Sequence, residues 1–287
     1  MKIIVFVPKS PAAGTTHEPS CGFITESGVF RVGAHDGKTL RSLLSKPAGL
    51  KSLLASSANR PPDFLLSDIE ICPPLDVDTK VICVGLNYRA HVEETGRKPN
   101  DKPTLFSRWP DTHVGHNTPL IKPSASERFD FEGEIAIVIG KNGRHIGKAE
   151  AFSHVAGYTC YNDGSIRDWQ RHSTQFMPGK NFFGSGSIGP WIVTSDEIAD
   201  PGSMSVTTRL NGEVVQHGNI TQLIFDVPEL IAYISTFTPL SAGDIIATGT
   251  PEGVGMARTP PLWMAVGDHV EVEVSGVGTL HNSIVAE

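Results

Sequence analysis

No segment of this 287-residue sequence approaches the roughly 20 uninterrupted apolar residues needed to cross a bilayer, so a membrane-embedded protein is not expected. The opening run, Met1 to Val7, is too short for the apolar part of a signal peptide and is cut off by Pro8-Lys9-Ser10-Pro11, which makes it an edge or opening strand. Cysteine is sparse. Cys21, Cys72, Cys83 and Cys160 are scattered without a Cys-x-x-Cys pair, which argues against thiolate-bound zinc or dithiol redox chemistry and fits free thiols in a reducing cytoplasm. Clusters of positive charge are missing as well. The 24 Lys and Arg are outweighed by 31 Asp and Glu, for a formal charge of -7, and no basic run could follow a phosphate backbone, so nucleic acid is not an expected partner.

Glycine and proline, by contrast, are plentiful at 29 and 21, which demands many tight turns and favours short strands. The length allows one or two domains. Residues 1–75 mix short apolar runs with loops and one helix-like stretch, Leu40 to Leu54, which Pro47 must break or kink. Pro61-Pro62 and Pro73-Pro74 punctuate its exit, so a small N-terminal domain is expected to end near Leu75, with a catalytic domain over 76–287. Strands are expected at Val81–Val84 and Glu134–Ile139, and in the alternating run Val270–Val274. Asn211-Gly212 between apolar residues signals a two-residue hairpin, since both residues tolerate positive φ. Asp226 with Glu229 starts a helix whose apolar face is Leu230, Ile231, Ile234 and Phe237.

Two groups of residues suggest chemistry. Glu132 and Glu134 stand at the entrance to a buried strand, two apart and therefore on one face. Taken alone, Glu-x-Glu is the solvated face of a strand. With Asp163 after the next strand, however, converging carboxylates would repel unless a cation lay among them, and an all-oxygen set suits Mg²⁺ or Mn²⁺ better than zinc. The second group is His91 and Glu94, on a short helix starting at Asn87 and ending at Gly96. Three apart, they share a face, and the carboxylate can fix the imidazole tautomer of a general base. A surface helix pair is the alternative. The glycine-rich loop Gly249–Gly255 lacks the Gly-Lys-Ser/Thr ending of a phosphate-binding loop and is taken as a turn that shapes a site.

These stretches, in this order, resemble the fumarylacetoacetate hydrolase family: Gly85-Leu86-Asn87-Tyr88 with His91 and Glu94, Phe131-Glu132-Gly133-Glu134-Ile135, Asp163 with Arg167-Asp168 and Gln170, Gly179-Lys180, and Thr248 to Gly255. The resemblance runs from about Lys80 to His281. It implies an α+β, predominantly β fold, a roll of mixed β-sheets with a small N-terminal domain, usually as a homodimer. It also implies one divalent cation per subunit, Mg²⁺ or Mn²⁺, held by Glu132, Glu134 and Asp163, and His91 with Glu94 as the water-activating pair. Lys180 would assist catalysis, and Arg167, Gln170 and Thr250 would contact a 2-oxo acid substrate; Tyr88 and Arg108 are added as substrate-contact candidates. Arg108 stands in Phe106-Ser107-Arg108 where the family pattern has Phe-x-Lys, and a planar fork replaces a point charge there. His113 and His116 are more naturally structural. The expected reaction is hydrolysis of a carbon–carbon bond in an acylpyruvate or related 2,4-dioxo acid. Decarboxylation of oxaloacetate, isomerisation or hydration of unsaturated 2-oxo acids, and a non-catalytic binding domain are the alternatives. No polar set is legible for the far end of a substrate, so selectivity is expected to be strict at the oxo-acid end and looser beyond it.

Overall fold

A computed structural model describes residues 1–10, 18–34, 38–57 and 60–287. Its main sheet has the strand order Gly28–Ala34, Ser20–Thr25, Lys2–Pro8, Gly186–Thr194, Val155–Asn162, Gly133–Ile139, Ile245–Ala247, Val81–Gly85 and Thr104–Arg108. The opening strand is thus interior and not an edge: Lys2 and Ile3 pair with Val193 and Ile192, while the other side pairs with Ser20–Thr25. A second sheet runs Glu213–Asn219, Ser205–Leu210, His269–Val274, Gly278–Ala286, Leu120–Lys122.

The strand Gly133–Ile139 is buried on both faces, and its alternation assigns each face to a different core. Ile135, Ile137 and Ile139 pack with Val206, Val272 and Leu280 of the second sheet and with Leu230, Ile231 and Ile234 of the helix Val227–Phe237. Ala136 and Val138 face a core shared with Ile3, Val5, Leu40, Leu43 and Leu44 from the beginning of the chain. Asp226 caps that helix by accepting from the Glu229 N–H at 2.8 Å. The stretch Leu40–Leu54 divides into Lys38–Ser45 and Pro47–Ser57, with the proline at the start of the second helix, where its missing N–H costs nothing. Asn211 and Gly212 adopt φ of 53° and 83° and close the expected hairpin, Leu210 facing Glu213.

The short helix after Val81–Gly85 begins later than its sequence suggests. It spans Arg89–Glu94 with Tyr88 at the cap. Asn87 does not cap it; its buried amide donates to the Phe225 and Thr248 carbonyls (3.1 and 2.8 Å) and accepts from the Phe225 N–H (2.9 Å), stitching three segments together. Gly96, at φ 67°, closes the helix: its N–H reaches the Glu93 carbonyl and the Arg97 N–H reaches Val92. Among the described residues, no helix is long and apolar enough to cross a membrane.

Candidate active site

The strand Gly133–Ile139 and its neighbour Val155–Asn162 end side by side, with Gly133 paired to Asn162. Their termini therefore deliver Glu132, Glu134 and Asp163 to one point. All three are buried, and one carboxylate oxygen from each lies within 4.8 Å of the others. Burial in a protein interior with nothing opposing three like charges would be prohibitive, and cations surround them. Lys180 donates to Glu132 Oε2 (2.7 Å) and Asp163 Oδ2 (2.6 Å). Arg167 reaches Glu132 Oε1 through Nη1 at 2.6 Å. Arg108 meets Asp163 Oδ1 at 2.8 Å.

The three carboxyls differ in electrostatic surroundings. Burial pushes Glu132 up, but the Lys180 ammonium, Arg167 and His91 outweigh it and hold it at about 2. Glu134 is pushed well above the carboxylate range, first by burial and then by the charges of Asp163 and Glu132. The repulsion that remains on Glu134 and the close, all-oxygen set of the three carboxylates fit a divalent cation among them. The nearby thiol of Cys83 is turned to the Tyr161 hydroxyl instead, at 3.6 Å.

The loop Gly249–Gly255 works through its backbone. The Gly249 N–H donates to Glu134 Oε2 (2.8 Å), the Gly253 N–H to Glu94 Oε2 (3.0 Å), and the Gly255 N–H to Asp130 Oδ1 (2.7 Å). Gly249 and Gly253 hold φ of 101° and 96°, and a Cβ on Gly253 would lie 2.3 Å from the Val215 carbonyl oxygen. One turn of chain thereby grips three acidic side chains. Asp130, which sequence reasoning missed, also accepts from the Met256 N–H (3.0 Å) and Arg167 Nε (2.7 Å), and so orients the arginine on Glu132. An acid set between Phe129 and Phe131 was the available signal.

A cavity of about 860 Å³ opens over the carboxylates. It is lined by His91, Glu132, Glu134, Asp163, Arg167, Gln170, Lys180 and Thr250, so these residues converge on one space. His91 Nδ1 lies 2.7 Å from Glu94 Oε1. With Nδ1–H donated to Glu94, the lone pair is on Nε2. Gln170 accepts from Arg167 Nη1 at 3.0 Å, and the Thr250 hydroxyl donates to the Gly133 carbonyl at 3.0 Å. Arg167 Nη2 has no hydrogen-bond partner.

Two expected substrate contacts lie elsewhere. Tyr88 is fully buried outside the cavity lining, its hydroxyl unpartnered. Arg108 sits behind Asp163, its guanidinium consumed by that carboxylate, the Gly164 carbonyl (2.9 Å) and the Ser185 hydroxyl (2.7 Å), and does not line the cavity. The planar fork found in place of the family's lysine thus braces a carboxylate from behind. His113 accepts from the Tyr161 hydroxyl at 2.8 Å and turns Nδ1 to the Trp109 carbonyl, an interior structural role; His116 accepts from the His281 N–H at 3.2 Å. The outer, exposed part of the cavity lining also carries polar residues that the sequence did not single out: Arg97, Asn100, Arg171, Ser173 and Thr174.

Residues 80–285 match the fumarylacetoacetate (FAA) hydrolase C-terminal family. The chain belongs to the fumarylacetoacetate hydrolase family. Among its relatives is the human protein named oxaloacetate tautomerase FAHD2A, mitochondrial, 38% identical over 264 residues, which are 90% of this chain and 84% of that one. Oxaloacetate tautomerase YisK of Bacillus subtilis is 40% identical over 242 residues, 80% of each chain. The solved structure of a fumarylacetoacetate hydrolase from Exiguobacterium antarcticum superposes with a TM-score of 0.79 at 31% identity, with both chains covered in full. This member of the family is an enzyme, and its mixed β-sheet architecture is that of the family.

Proposed function

We propose that this family member catalyses keto–enol tautomerisation of oxaloacetate or a closely related 2-oxo acid. The observation that carries this reading is His91, held by Glu94 and facing the same cavity as the carboxylate triad, in a chain 38–40% identical to oxaloacetate tautomerases over 80–90% of its length. The sequence alone ranked acylpyruvate hydrolysis first and decarboxylation of oxaloacetate next; the relatives favour oxaloacetate over an acylpyruvate, with a tautomerisation that the sequence reading did not include.

Glu132, Glu134 and Asp163 would hold the cation, Mg²⁺ or Mn²⁺, which supplies Lewis-acid polarisation of the oxo-acid end when bound. The remaining work belongs to the side chains. Arg167 and Lys180 give positive charge at the base of the cavity for the 2-oxo carboxylate. His91 Nε2 takes a proton from C3 of the keto form while Glu94 stabilises the imidazolium through Nδ1–H. Negative charge developing on the C2 oxygen is met by the Lys180 ammonium, and a proton returned to that oxygen completes the enol. No carbon–carbon bond breaks, and no water need be placed for attack.

Enolic oxaloacetate absorbs in the ultraviolet, so its equilibration can be followed directly. The protein with Mg²⁺ is expected to accelerate that equilibration without releasing pyruvate or carbon dioxide, and EDTA is expected to stop it until Mg²⁺ or Mn²⁺ is restored. Release of carbon dioxide and pyruvate would make the enzyme a decarboxylase. Cleavage of an acylpyruvate with oxaloacetate left unequilibrated would reinstate the hydrolase.

A further inference from the structure

The outer part of the cavity carries charge that the reaction at its base does not use. Arg97 and Arg171 both line it, and among the described residues neither guanidinium makes an ion pair or a side-chain hydrogen bond. The acidic residues of the lining are Glu132, Glu134 and Asp163, all at the base and all engaged by Lys180, Arg167 or Arg108, except Glu134, which is held by Gly249. Asp168, an acid close in sequence to Arg171, accepts from the Ser126 hydroxyl at 2.7 Å instead. The outer wall is therefore a positive surface with no acid of its own, and Asn100, Ser173 and Thr174 add neutral donors to it.

Both arginines are placed by local structure. Gly96 in its left-handed conformation ends the helix Arg89–Glu94 and turns the chain so that Arg97 leaves it at the cavity, where its guanidinium lies 5.6 Å from the centre of the Phe176 ring. Phe176 lines the cavity too, and the aromatic face limits the sweep of the long side chain. Arg171 is the C-terminal cap of the short helix Arg167–Gln170. It stands one turn beyond Arg167, about 6 Å along a helix axis. Arg167 is buried at the triad and Arg171 is exposed, so this segment places one guanidinium at the base of the cavity and the other in its outer part.

We propose that Arg97 and Arg171 form a second anion subsite that receives the distal carboxylate of a 2-oxo dicarboxylic acid, making them specificity-determining residues. The inference rests on the reading of the cavity base as the site of the 2-oxo carboxylate. It does not require tautomerisation to be the reaction.

Direct binding separates the two claims. Calorimetric titration in Mg²⁺ would compare 2-oxoglutarate, a stable dianion, with 2-oxopentanoate, which carries a methyl where the second carboxylate stood, and with oxalate, which occupies only the base. The protein is expected to prefer the dianion, and the preference should shrink as salt screens the exposed arginines. Arg171→Ala and Arg97→Ala should each weaken 2-oxoglutarate about tenfold, the size of one charge-assisted contact, while 2-oxopentanoate and oxalate change less than about twofold. Arg171→Lys should recover part of the loss by keeping the charge. Equal affinity for both oxo acids in the unaltered protein, or a variant that weakens all three ligands alike, would overturn the subsite, as would variants with no effect. If the dianion preference disappears in the variants although oxaloacetate is never tautomerised, the subsite stands and the proposed reaction falls.

Discussion

At the residue scale, the division of labour around the triad can be separated by experiment. His91 reaches the cavity but is not among the clustered carboxylates, so His91→Ala is expected to lower kcat by about 10² to 10⁴ while Mg²⁺ affinity, measured by titration, is retained. Equal loss of Mg²⁺ affinity would make His91 a ligand. His113 offers a different test. Burial and then the Arg108 charge depress its imidazole from 6.5 to about 3, so the folded protein keeps it neutral where the unfolded chain protonates it. More protons are then bound unfolded than folded between those values, and stability falls as pH drops through that window, by about 1.4 kcal/mol per unit. Urea unfolding at pH 7 and pH 5 should show this slope, and His113→Gln should flatten it. Paired motifs such as Glu132-x-Glu134 and His91-x-x-Glu94 were legible because sequence neighbours share a face of one element. Arg97 and Arg171 were not legible. The wall they form joins segments far apart in the chain, and nothing in an isolated arginine says that its acid partner is missing.

At the scale of elements, periodicity announced several strands, Gly133–Ile139 among them, and the capped helix Val227–Phe237, since each is specified by its own residues. The start of the helix Arg89–Glu94 was misplaced because Asn87, a good cap by type, is bonded to segments that come together only in the fold. The loop Gly249–Gly255 shows the same limit: its glycines were visible, but its grip on three separate carboxylates was not. Each grip predicts its own phenotype. Gly249→Ala forces a side chain onto φ of 101° with its Cβ 2.9 Å from the Val84 carbonyl oxygen, which should displace the amide from Glu134 and weaken Mg²⁺ binding. Gly253→Ala should release Glu94 instead, lowering kcat with Mg²⁺ affinity largely kept. Identical effects of the two substitutions on both quantities would mean that the loop moves as one body.

At the scale of the whole molecule, the first strand is continuous with the main sheet and its residues share a core with Ala136, Val138, Ile188 and Ile192. A chain starting at residue 76 would leave Ile192 and Val193 on an open strand edge above an uncovered apolar face. Such a chain is expected to aggregate or to bind the dye ANS, whereas a monodisperse product with a cooperative unfolding transition would show that residues 76–287 fold alone. The proline-marked end near Leu75 was evident in the sequence, but the pairing across it joins positions nearly 200 residues apart and leaves no local trace. The backbone grip of the loop also bears on how such an enzyme can diversify. Substitution can replace a side chain but cannot delete a peptide N–H other than through proline, so the frame around Glu134, Glu94 and Asp130 is shielded from most single changes outside its glycines. Arg97 and Arg171, held by side chains alone, can be exchanged one codon at a time. New substrate preferences should therefore accumulate on that outer wall in directed evolution, while the chemistry beneath it is inherited intact.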